Sequence, residues 1–547
     1  MKAIQNTNNP WRRWIAWFVE HLYAIVPGIV GFAVAMSIAF SRWPEPYMHD
    51  DFGNLLVAST LLEGRFSNPV PAAWQSLETF HVILQPTYAS KYPIGLGAMM
   101  ALGKLGFGTC AAGLWLCAGL ASWSIAWMVA GHLPRRWAAF AGLFAATHPY
   151  WQNGWSQEYT NGWLSVAGVS MVLGGLLRVR RIARGDHSHM QRASSAIAMI
   201  GLGCALNLFS RPFEGGVVCG LLGLLCMPTW ISRRLYLVRS FWSSAVGGTM
   251  ILVAGIVVQL CLNQAITLKW HQLPYQLHEL QYGVAPVLIW QKPHEPSLGH
   301  RFEEQRRFHR GWSMDAYRTT ASWHGYLRML QRRLIYLANH WGNFLAFAPI
   351  GLVFLPKERR HWIGFVGVLP VALLVINCIP WCVPQYVSPL IPIALFVGCC
   401  STRGLLRRIA KKAVSIPDSR PVFLESIVFG VVLWMQCTSL FGIALARSQC
   451  GPGWETTWSE RRAAILKDLQ LQPGNDLVLV RYSPDHDVLN EWVFNHADVS
   501  NAEVVWARWG SDALNKNLLE SYPGRRHWLL EWRQGVPSLS ELPTDKN

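Results

Sequence analysis

Eleven apolar runs, each near the length a straight or tilted helix needs to cross a bilayer, recur along the chain and leave few folds open to it. They run from Leu22 to Ser41, Thr109 to Gly131, Trp137 to Trp151, Gly162 to Leu177, Ala193 to Phe209, Pro212 to Met227 and Ser243 to Leu262. Four more follow at Ile335 to Leu355, Trp362 to Cys378, Pro384 to Cys400 and Phe423 to Ala446. Of the 547 residues 51% are hydrophobic and only 14% charged, a balance rare in a soluble chain of this size. The expected fold is a polytopic α-helical membrane protein of about 11–12 transmembrane helices, its 29 tryptophans gathered at the two interfaces. Pro93 to Gly106, short and glycine-rich, stays open between a crossing and a re-entrant helix.

A formal net charge of +17 raises nucleic-acid binding as a function class, and the placement of the basic residues argues against it. They fall in short loops between apolar runs, as the positive-inside rule describes, and not in one continuous stripe. Arg178, Arg180, Arg181, Arg184 and Arg192 mark one loop, and Arg233, Arg234 and Arg239 a second. Lys357, Arg359 and Arg360 mark a third, and Arg403, Arg407, Arg408, Lys411 and Lys412 a fourth. All four agree on a cytoplasmic N-terminus and an extracytoplasmic C-terminal tail, with Arg135 and Arg136 also inside. Arg12 and Arg13 precede a first run that spans and has no small-residue cleavage site, so the expected location is the inner membrane, multi-pass. The cysteines lie mostly within apolar runs as small hydrophobes, and Cys378-x3-Cys382 lacks the second pair a zinc site needs.

The expected organisation is a transmembrane domain over residues 1–446, with outer loops 42–92 and 263–333, and an outer domain over 447–547. In that tail Asp476 to Tyr482, Glu503 to Arg508 and His527 to Glu531 are β-type runs. They alternate with helix-like Trp458 to Leu469 and Asp512 to Leu519, which gives a small α/β unit.

The first outer loop opens on Met48-His49-Asp50-Asp51 and closes on Ser90-Lys91-Tyr92-Pro93. Two adjacent carboxylates at the mouth of a membrane helix are costly unless they face water, a cation or a reacting hydroxyl; the bland alternative is a cap on a helix beginning near Phe52. Glu158 is the one acid in the short outer loop between the third and fourth runs. Two uses stay open: Asp51 and Glu158 as oxygen ligands to a divalent cation such as Mg or Mn, or one carboxylate of Asp50, Asp51 and Glu158 deprotonating an attacking hydroxyl. Against this stands an ordinary interfacial acid. Lys91 and Arg211 suit a phosphate, the first as a point charge and the second bidentately, with snorkelling as the plain alternative. Arg211 sits on the outer side against the charge trend, with Glu214 one turn on. His49, Tyr92, Tyr282, Gln385 and Tyr386 are expected to line the cavity.

His49-Asp50-Asp51 after the first helix, a loop closing on Lys91-Tyr92-Pro93, Gly201-Leu202 running into Ser210-Arg211-Pro212, and Gln385-Tyr386-x-x-Pro389 together resemble the C-type (GT-C) glycosyltransferases of bacterial membranes. The similarity, over roughly the first 400 residues, is to the branch related to protein O-mannosyltransferases and lipid A aminoarabinose transferases. It implies a polyprenyl-phosphate-linked sugar as donor, inverting transfer to an acceptor hydroxyl at the outer face, Asp50 or Asp51 acting on the acceptor or holding a metal, Lys91 and Arg211 facing the donor phosphate, and Glu158 as a second-loop acid. The acceptor glycan, lipid or protein is not identified by it. Gln385 departs from the histidine that similar sequences carry before the tyrosine, which counts against proton transfer there. Two other classes remain: a transporter or flippase of lipid-linked sugars, which calls for midplane charges and an internal repeat, and a non-catalytic envelope scaffold, which Asp50→Asn and Asp51→Asn would leave intact.

Overall fold

The computed structural model describes residues 10–160, 162–183, 193–232, 239–345, 362–412, 420–449, 457–533 and 536–542. Among them six helices are long and apolar enough to cross a membrane: Ile15–Ser41, Ala111–Ala130, Gly162–Ile182, Ala245–Thr267, Pro384–Ala410 and Pro421–Gln449. Apolar helices Ile94–Phe107, Ala193–Leu208, Pro212–Met227 and Gly364–Ile376 are shorter. Fourteen residues of helix rise about 21 Å, less than a hydrocarbon core, so Ile94–Phe107 does not cross alone.

The helices in order are α1 (Pro10–Ser41), α2 (His49–Leu62), α3 (Ile94–Phe107), α4 (Ala111–Ala130), α5 (Arg135–Ala146), α6 (Pro149–Asn153), α7 (Gly162–Ala183), α8 (Ala193–Leu208), α9 (Pro212–Ser232), α10 (Arg239–Thr267) and α11 (Pro274–Tyr282). The run Trp137 to Trp151 is thus two helices. Pro149 opens the second, and the residue before a proline is pushed out of helical conformation; His148 is extended at φ −70°, ψ 115°. Trp323–Leu345 starts before the expected span at Ile335, and residues 346–355 lie outside the described ones. Pro384–Leu390 is a tight 3-10 turn feeding the helix Ile391–Lys412. Arg184, Arg192, Arg233, Arg234, Lys357, Arg359 and Arg360 also fall outside the described residues.

Close packing replaces hydrophobic force between membrane helices. Gly31 of α1 lies so near α4 that a Cβ there would meet Ser122 Oγ at 2.6 Å, and one on Gly119 would meet the Gly28 carbonyl at 2.9 Å. The bundle has two distinct ends. Arg135 pairs with Glu20 at 2.9 Å and Arg136 with Glu425 at 2.5 Å at one of them. At the other, beyond the C-terminus of α1, Arg447 donates to the Arg42 carbonyl at 2.8 Å and Arg42 pairs with Glu460. Loops 42–92 and 263–333 and the C-terminal region gather there.

In the first loop β1 (Val82–Ile83) pairs antiparallel with β2 (Ala89–Ser90). The C-terminal region holds β3 (Asp476–Arg481), β4 (Val504–Arg508), β5 (Arg526–Arg533) and β6 (Val536–Glu541) in the order β4-β3-β5-β6, the last antiparallel to β5. Helices Trp458–Gln470 and Asp512–Ser521 complete the α/β arrangement. Its core is shared. Phe52, Leu56, Leu77, Val82 and Tyr88 of the first loop pack in one cluster with Leu477, Leu479, Phe494, Val505 and Leu529. Phe52 and Phe494 stack at 4.2 Å, and the Tyr88 hydroxyl donates to the Asn495 carbonyl.

Candidate functional site

The two adjacent aspartates turn out to do different things. α2 begins at His49, and Asp51 at its third position accepts the backbone N–H groups of Tyr47 and Met48, both at 3.0 Å, on Oδ2. The helix starts three residues before the expected Phe52, and Asp51 does not cap its free N–H groups but, from inside the first turn, reaches back to the two residues that precede it. Asp51 is wholly buried, and its Oδ1 has no hydrogen-bond partner among the described residues. Burial pushes its pKa to about 7, with Glu158 and Asp50 adding to the rise and the two N–H groups opposing it.

Asp50, one residue earlier and so about 100° round the helix, points elsewhere. Its side chain is 34% exposed. Oδ1 accepts the Tyr92 hydroxyl at 2.5 Å and stands 3.6 Å from His81 Nε2. Tyr92 reaches that oxygen across Gly53, where a Cβ would sit 2.7 Å from the ring. His81 has φ +65°, a left-handed conformation uncommon outside glycine and concentrated at functional positions.

Basic groups flank this carboxylate. Lys91 is buried, pairs with Glu279 Oε1 at 3.1 Å and lies 4.6 Å over the Tyr275 ring. Burial alone would raise the Glu279 carboxyl, but Lys91 and His278 beside it hold it well below the usual range, so the carboxylate stays charged. Arg211 lies 3.6 Å from Glu214 and 4.9 Å over the ring of Tyr386, which Arg333 faces at 5.7 Å. Lys91 also lies 5.8 Å over the ring of Tyr92, which bonds Asp50, and Tyr386 beneath Arg211 is within electrostatic reach of Asp50.

Two hollows adjoin these side chains. An apolar groove of about 120 Å³ between α2, α3, α8 and α10 is lined by Val57, Leu61, Ile94, Leu208 and Leu262, and ends on Lys91 and Tyr92. A wider hollow of about 540 Å³ carries Lys269, His271 and Lys292, shares Tyr275 with the groove and has Glu279 in its wall.

The remaining sequence candidates are dispersed. Glu158, half-buried in the turn after α6, is raised by burial and acts electrostatically on Asp51. His49 stacks on Phe80 at 4.5 Å and its Nε2 meets the Val488 carbonyl at 3.1 Å, so it braces the C-terminal region. Tyr282 is buried and donates to Glu78, which also takes Arg301 at 2.5 Å. Gln385 is buried beside Tyr386. The expected metal pair does not fit. Asp51 is enclosed with one oxygen committed to the Tyr47 and Met48 N–H groups, and no three His, Cys, Asp or Glu side chains among the described residues are placed to hold an ion. His81, Tyr275 and Glu279 were not legible as site residues; only the left-handed backbone at His81 and the buried His278-Glu279 pair mark them, and neither is visible in sequence.

No family model and no curated protein matches the chain. Solved structures do. ArnT from Cupriavidus metallidurans in the apo state superposes with a TM-score of 0.48 at 14% identity, over 95% of this chain and 93% of that one. The archaeal oligosaccharyltransferase AglB from Archaeoglobus fulgidus gives 0.41 at 10%, over 94% and 70%. Arabinofuranosyltransferase AftD from Mycobacteria gives 0.41 at 16%, over 95% and 35%. These structural neighbours are GT-C glycosyltransferases. At such values the likeness transfers neither a substrate nor the role of any residue.

Proposed function

We propose that this multi-pass membrane protein is an inverting glycosyltransferase, moving a sugar from a polyprenyl-phosphate donor to an acceptor hydroxyl at the extracytoplasmic face of the inner membrane. The observation that carries it is the meeting, at one end of the bundle, of an open carboxylate with two cations above an apolar groove. Asp50 takes the proton of the acceptor hydroxyl as its oxygen attacks the anomeric carbon; the bond from that carbon to the phosphate breaks, and its electron pair leaves with the lipid phosphate. Tyr92 holds the carboxylate in place. Lys91 and Arg211 balance the growing phosphate charge, in a site dry enough for that balance to count. The groove takes the first isoprenoid units of the donor. On this reading residues 1–446 form the transmembrane domain with its N-terminus cytoplasmic, and 447–547 an outer α/β domain.

Radiolabelled transfer in membranes from a panel of polyprenyl-phosphate sugars tests it, comparing wild type with Asp50→Asn. Transfer by wild type and a loss of about 100-fold or more in the variant is expected for a missing general base. Equal rates would remove Asp50 from the chemistry.

A further inference from the structure

The base at Asp50 must be rid of its proton after each turnover, and on the transferase reading the donor and acceptor cover its exposed side. Behind it stands a row of histidines. His81 Nε2 is 3.6 Å from Asp50 Oδ1. The His81 and His278 rings are 5.9 Å apart centre to centre, His278 and His309 are 6.3 Å apart, and His309 and His300 lie stacked at 5.0 Å with planes 4° apart. His278 and His309 are buried, whereas His300 is half-buried in the loop before residue 303. The row therefore runs from the carboxylate to the outer surface.

Three ring nitrogens along it, His81 Nδ1, His278 Nε2 and His300 Nδ1, are buried without a hydrogen-bond partner among the described residues. Buried polar atoms in native proteins are satisfied by protein or ordered water, and a water bonded to these nitrogens would link neighbouring rings. We propose that His81, His278, His309 and His300 form a proton-exit path that carries the acceptor's proton from Asp50 to the outer solvent. The inference rests on the transferase reading above.

The chemistry balances. The acceptor O–H proton passes to Asp50 and along the row to water. The donor phosphodiester becomes a phosphate monoester that keeps the electron pair of the broken bond. Burial holds all four imidazoles below their ordinary value, so each rests neutral, able to accept a proton on one nitrogen and donate from the other. The charges facing the row oppose one another. Lys91 disfavours a passing proton at His81, His278 and His309; Glu279, bonded to His278 Nδ1 at 3.3 Å, favours it at His278 and His309. At the outer end Arg306 and Arg310 oppose Glu295 around His300. These histidines are positioning residues for proton flow, since Asp50 alone meets the acceptor.

The test uses full-length protein in membranes with the donor that wild type accepts. His309→Phe keeps the stacked ring, and His300→Gln keeps a donor for the Tyr282 carbonyl that His300 Nε2 reaches at 2.8 Å. Both variants should lose on the order of tenfold in kcat at low buffer, with donor KM unchanged and a larger solvent deuterium effect, and added imidazole should restore the rate. Wild-type kcat and isotope effect in both variants would overturn the path alone, as would a loss that imidazole leaves in place. A wild type that transfers from no donor would overturn the transferase reading, and the path with it.

Discussion

At the scale of single residues, Asp50 and Asp51 show how far neighbouring side chains of one type can part. Asp51 is sealed and holds the start of α2; Asp50 is open and holds Tyr92. Their substitutions should separate accordingly, Asp50→Asn losing transfer with little change in stability. For Asp51 the sign follows from its raised folded pKa. The stabilising term is fully present below the unfolded value near 3.8 and is lost as pH rises through about 7. Asp51→Asn should therefore raise the thermal midpoint of detergent-solubilised protein more at pH 8 than at pH 5, by a term of about 3 kcal/mol at most. A midpoint difference that is the same at both pH values would show that Asp51 is not protonated near neutrality. Sequence brought both acids into view because their place after a membrane run is unusual. It could not choose between them, since one position of helix rotation decides which of them is exposed and which is sealed. Lys91 was equally legible, but its partner Glu279 is 188 positions away, a pairing only the fold creates.

Among the elements, α2 is the part that would aim the chemistry on the transferase reading, since it carries Asp50. Gly53 is its tightest point, with Tyr92 packed where a side chain would go. An aromatic ring held by a 2.5 Å hydrogen bond yields little, so Gly53→Ala should displace Tyr92 and cost about 1–3 kcal/mol, read by thermal unfolding. Transfer should fall more than the stability loss explains, and unchanged transfer would show that Tyr92 does not set the base. The long runs were read well, because twenty apolar residues have few other fates. The segment 137–151 was not, because Pro149 divides a stretch whose hydropathy is continuous. β3, β4 and β5 stood out as β-branched and aromatic runs. β6 did not: Val536–Glu541 is a largely polar edge strand with a proline at its second position, a composition that reads as loop.

At the scale of the whole molecule, the first outer loop and the C-terminal sheet are one packed body. Phe494 is the joint, stacked on Phe52 and buried among both halves. Phe494→Ala should cost about 3–5 kcal/mol, the usual range for a buried aromatic, and limited proteolysis should then cut within 42–92 faster than in wild type. Unchanged cleavage there would mean that the loop stands without the sheet.

That joint ties together segments of chain made far apart in time. Residues 42–92 leave the ribosome early, yet the surface they must rest on is encoded some 400 positions later. The packing around α2 stays unfinished until β3, β4 and β5 have been made, and on the transferase reading a copy truncated before them should be inert, as transfer in membranes would show.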